Sequence, residues 1–198
     1  GTEATGVSKV NLDLFTLFAE GQVALTQSQC AAVRPILEKV TSKLFVPLIQ
    51  GALRYAYMMS TDGPGGSGTN AAGSPTLLKQ NAEGAVFAAA VVPMVANCSA
   101  ADAQIIWDNL KLGAGATTNK LDVKAAFERN YACMGIKCAD VGALSEAKAG
   151  DLFGTACSDP EAQALTVQVM NTGAVVGIIA ACLVAVLALL CICVMIRK

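Results

Sequence analysis

The chain has 198 residues, of which 54% are apolar and 15% charged, so it is neither disordered nor a multi-span transporter. Without Arg197 and Lys198 the 14 basic residues fall to 12 against 15 acidic ones, a balance of about −3 that argues against a nucleic-acid partner. Histidine is absent, which removes the commonest general base, metal ligand and pH switch, and no cofactor motif stands out.

In chain order, Val10, Leu14, Leu17, Phe18 and Leu25 recur at three- and four-residue intervals, which predicts a first amphipathic helix within 7–33. Pro35 should end it and open a second helix. There Leu37, Val40, Leu44, Leu48, Leu53 and Tyr57 form an apolar stripe, with a kink expected at Pro47. Residues 60–75 hold five glycines and two prolines without an apolar anchor and predict a flexible loop. A phosphate cradle there would need a following Gly-Lys-Ser/Thr, which is missing.

The run Ala85 to Ala96 is too short to span a bilayer and predicts a central buried helix. Ser99, with Asp102 three residues on, reads as a helix N-cap and Gly113 as a stop, with Ile105, Ile106, Trp107 and Leu110 as the inner face. A further helix is expected over 121–135 through Val123, Phe127 and Tyr131, followed by short turns over 139–158. Asp159, Pro160 and Glu161 form an N-terminal signature with no breaker before Gly173, predicting one helix over 160–196. No alternating β-branched run appears, so the fold class is all-α: a small helical bundle (1–159) followed by one C-terminal transmembrane helix.

That span is Ala174 to Ile196, 23 residues without a charge or proline. At 1.5 Å per residue it covers about 34 Å, against a hydrocarbon core of about 30 Å. Arg197 and Lys198 follow directly, while the nearest preceding basic residue is Lys148. The charge bias puts the C-terminus on the cytoplasmic, stromal or matrix side and exports the N-terminal domain. Gly173, Gly177, Ala181 and Ala185 recur every four residues and form a small-residue face for a partner helix. The expected partners are therefore the lipid bilayer and other membrane-protein subunits.

Five cysteines fall in the exported part, Cys30, Cys98, Cys133, Cys138 and Cys157, enough for two disulfides and one leftover thiol. Cys133 and Cys138 lie five apart on a predicted helix, so each is expected to pair with a distant segment. Zinc is the rival reading, but no Cys-x-x-Cys pair or histidine supports it. Candidate modification sites are Asn97 in Asn-Cys-Ser, Cys191 and Cys193 near the cytoplasmic end of the span, and Gly1. Gly1 to Thr5 match the myristoylation pattern if a methionine once preceded Gly1; a cleaved leader leaving glycine first is the alternative.

This combination, a myristoylation-type start, a helical cysteine-bearing domain and a C-terminal span, resembles the myristoylated entry and membrane proteins of poxviruses and related large DNA viruses. The resemblance is architectural. It implies acylation of Gly1 and bridges among the exported cysteines; the chain departs from it by ending two residues after the span and by its odd exported cysteine.

Three functions follow as expectations. The first is a non-catalytic subunit that packs against a larger membrane assembly, such as an organellar photosynthetic or respiratory complex. The second is a viral or cell-surface attachment or fusion protein with a disulfide-bonded ectodomain. The third, an enzyme using Asp102, Asp108 or Glu128 near Trp107, ranks last, because caps and solvated helix faces account for those acids.

Overall fold

The structure, a computed structural model, describes residues 6–60, 74–144 and 152–159. The described residues are all-helical, without a strand. They form α1 (Lys9–Thr26), α2 (Cys30–Met59), α3 (Pro75–Ala96), α4 (Ala100–Leu110), α5 (Lys120–Asn130) and the single turn α6 (Cys138–Val141), with 3₁₀ turns at Gly115–Thr117 and Leu152–Gly154. The predicted span 174–196, the linking helix over 160–196 and most of the predicted loop 60–75 lie outside the described residues. No described helix is long and apolar enough to cross a membrane.

The first helix ends earlier than its periodicity suggests. Ser28 adopts φ 57°, its N–H donates to the Leu25 carbonyl at 3.0 Å, and the Gln29 N–H donates to the Ala24 carbonyl at 2.8 Å. This pair of bonds is a Schellman C-cap, with serine in the left-handed position glycine usually takes. α2 then starts at Cys30 and continues through both Pro35 and Pro47. Pro35 therefore does not divide the first two helices, and α2 runs on past Pro47 to Met59. Both prolines are exposed, which leaves water free to bond the carbonyls that their missing N–H groups abandon.

α2 is the central element. Val46, Ile49, Leu53, Ala56 and Tyr57 recur at three and four residues and are buried against α3 and α5, while the N-terminal half carries α1. α3 offers the matching series Leu77, Asn81, Gly84, Ala88, Val91 and Val95. Glycine and alanine on these seams let the two helices approach closely. A Cβ on Gly51 would fall 2.6 Å from the Phe87 ring, and one on Gly84 3.1 Å from Tyr55 Cβ.

Short polar side chains start the later helices. Ser74 Oγ accepts from Leu77 N at 3.2 Å with Pro75 at the first helical position, so Pro75 begins α3 instead of closing the loop. Ser99 Oγ accepts from Asp102 N at 3.2 Å, and Asn119 Oδ1 from Leu121 N and Asp122 N at 3.1 and 3.3 Å.

On α4, Ile106 and Leu110 are fully buried, whereas Trp107 is 37% exposed and points away from the predicted inner face. Val123, Phe127 and Tyr131 enter the core as their spacing predicts. Phe153 closes it by stacking on Tyr57 at 5.6 Å between centroids, with Lys120 Nζ 4.8 Å from the Tyr57 ring.

Candidate functional site

Four of the five cysteines before residue 158 are used in pairs. Cys98, at the α3–α4 junction, is bridged to Cys133 in the turn after α5, and Cys138, the first residue of α6, to Cys157. Cys133 and Cys138 do not share a helix, because α5 ends at Asn130 and a turn separates them. Among the described cysteines Cys30 carries no disulfide; it is exposed at the start of α2. Asn97 is exposed at the C-cap of α3, directly before the disulfide-bonded Cys98. Gly1, the small-residue face Gly173, Gly177, Ala181 and Ala185, and the span cysteines Cys191 and Cys193 lie outside the described residues.

Each acid considered for catalysis is held by its own cation. Asp102 is buried and receives Arg129 Nη2 at 2.5 Å and Asn130 Nδ2 at 2.8 Å, tying α4 to α5 beside the Cys98–Cys133 bridge. The Arg129 hydrogen bond, helped by Asn130, holds the Asp102 carboxyl below its ordinary range against the opposing effect of burial. Asp108 pairs with Lys111 at 2.6 Å on the surface, and Glu128 pairs with Lys124. Among the described residues no cluster of three or more His, Cys, Asp or Glu side chains could hold a metal ion.

A second ionic junction was not visible in the sequence. Lys43 Nζ bridges Asp13 of α1 at 2.8 Å and Asp140 of α6 at 2.5 Å, while Lys9 also reaches Asp13 at 2.7 Å. Hydrogen bonds from Lys43 and then Lys9 lower the Asp13 carboxyl. Burial opposes the charged form of Lys43, but bonds to Asp13 and Asp140 outweigh it and raise this ammonium. Gln50 Nε2 adds a 2.9 Å bond to the Val141 carbonyl, so one side of α2 grips both α1 and α6.

The remaining distinctive surface is apolar. α1 packs along α2 through Val10, Leu17 and Ala24, and leaves Leu12, Phe15, Phe18, Val23 and Leu25 exposed, Phe15 by 71% and Phe18 by 55%. A groove of about 740 Å³ runs between the two helices, with Phe15, Ala19, Val23, Ala32 and Ile36 among its walls. Apolar residues on α1 are too many for one buried stripe, a signal carried by the sequence itself.

A scan against protein-family models found no matching model, and searches of curated proteins and of solved structures found no match.

Proposed function

We propose that the protein is a non-catalytic single-pass membrane subunit that packs its span and its helical body against a larger membrane assembly, with an organellar photosynthetic or respiratory complex as the favoured setting. The observation that carries this reading is the uncharged run from Ala174 to Ile196, followed at once by Arg197 and Lys198. The two disulfides support export of the body into an oxidising compartment. The individually paired acids support a structural role over a catalytic one.

The test is native electrophoresis of membranes opened in a mild detergent. The chain is expected to migrate within a particle that contains other subunits, and Gly177→Leu, which fills the small-residue face, is expected to release it. Migration of the wild-type chain as a lone monomer would count against the proposal.

The second reading, an attachment or fusion protein at a viral or cell surface, is favoured by the same disulfide-stapled body. The viral form of this reading expects acylation of Gly1, which intact mass would show as an addition of about 210 Da; an unmodified Gly1 amine would remove the main reason for it.

A further inference from the structure

We propose that the outer face of α1 is a lipid-docking surface, by which the helical body lies against the bilayer that holds its own anchor. The inference rests on the reading of 174–196 as a span and adds a second membrane contact to it.

The first observation is the make-up of the face. Glu20 is the only charged residue among the exposed positions of α1, which include Leu12, Phe15, Phe18, Val23 and Leu25. Lys9 and Asp13, the other charged residues of the helix, are partly buried and paired to each other, and Asp13 is also bound by Lys43. A helix in contact with water on its outer face ordinarily carries charge there; this one carries two phenylalanines and three large aliphatic side chains amid neutral polar groups. That composition suits the boundary between headgroups and acyl chains, where an amphipathic helix lies parallel to the surface.

The second observation is where the chain leaves the body. Cys157 is bridged to Cys138, with a Cα–Cα distance of 5.3 Å. Two residues further along α6, Asp140 holds Lys43, which holds Asp13 of α1. Cys157, which precedes the 158–198 segment, is thus coupled through one disulfide and two ion pairs to the N-terminal part of α1. From Ser158 to Gly173 only 16 residues precede the span. At full extension they reach at most about 55 Å, so the bilayer is always within range of the body.

That tether favours the anchoring bilayer over a second copy of the chain as the occupant. Contact with the anchoring bilayer is intramolecular and needs little area to be favourable, whereas a second copy of the chain must be recruited from the membrane plane.

The experiment uses the full chain reconstituted in phosphatidylcholine liposomes. The protein has one tryptophan, so Phe15→Trp in a Trp107→Phe background places the only indole on the face. Bromine on the acyl chains should produce a clear loss of this fluorescence, because an interfacial helix buries its apolar face into the headgroup/acyl boundary where the bromine lies. Leu121→Trp in the same background, on α5, should be unaffected. Phe18→Trp provides a second reporter should Phe15→Trp fold poorly, and both positions are exposed enough to accept the larger ring.

If neither reporter is quenched while the chain resists alkaline carbonate, the lipid-docking proposal is overturned and the span reading stands. If in addition Cys30 forms a disulfide between copies, a second chain covers the face instead. Release by carbonate removes both readings together.

Discussion

Unfolding free energy is expected to drop by about 4 kcal/mol when Cys98 and Cys133 are both replaced by serine, the chain-entropy value for the 35-residue separation they close. The bridge joins the start of α4 to the end of α5, two elements also held by apolar contacts, the Arg129–Asp102 ion pair and the hydrogen bond from Asn130 to Asp102. Cys133 is exposed, so a serine hydroxyl there is solvated and adds no burial penalty. For a body of this size the loss corresponds to a fall in Tm of roughly 10 °C, at about 2–4 °C per kcal/mol. Removing Cys138 and Cys157, 19 residues apart, should cost about 3 kcal/mol. Thermal unfolding followed by far-UV circular dichroism reads both. An unchanged midpoint in the Cys98/Cys133 variant would show that this bridge does not constrain the chain.

Asp102→Ala carries the second large effect. The substitution strips Arg129 of its carboxylate, leaves Asn130 Nδ2 with only its 2.7 Å bond to the Ala126 carbonyl, and opens a void where a buried carboxylate sat. Breaking a fully buried pair costs about 3–5 kcal/mol, but the Arg129 side chain is 53% exposed and regains water, which reduces the expectation to about 2–3 kcal/mol.

The pH dependence has a defined sign. Because the Asp102 carboxyl is held below its ordinary value of 3.8, its contribution is fully present above that value and is lost as pH falls through the lowered folded-state one. Urea unfolding should therefore separate wild type from Asp102→Ala at neutral pH and bring them together in acid. A gap of constant size across that range would mean that the lost stability comes from packing and not from the charge.

The fold class was legible because apolar residues recur at three and four residues in α2 and α5, because 85–96 is a long apolar run, and because Ser99 is an N-cap with a readable partner spacing. The α2 stripe itself is corrected by the structure, since Leu37 and Leu44 are exposed and Val46 and Ile49 take the inner face. The break at 27–29 was not legible. Its Schellman geometry rests on Ser28, and neither glycine nor proline marks the Thr-Gln-Ser-Gln stretch. Pro35, a breaker by local rule, is tolerated inside α2 because it is exposed near the helix start.

Trp107 was placed inward by its hydrophobicity, yet Ile106 and Leu110 already fill that face, and the indole is left at the rim. The disulfide partners and the Lys43 junction depend on contacts across 35, 19 and 97 residues, and single-sequence periodicity carries no information about such distances. The exposed face of α1 could have been found by counting: more apolar positions stand on that helix than one neighbour can cover.

Extraction of native membranes with alkaline carbonate separates a true span from every form of surface attachment, including docking through α1. The account predicts that the intact chain remains with the lipid pellet, held by Ala174 to Ile196. Recovery of the full-length chain in the supernatant would contradict it.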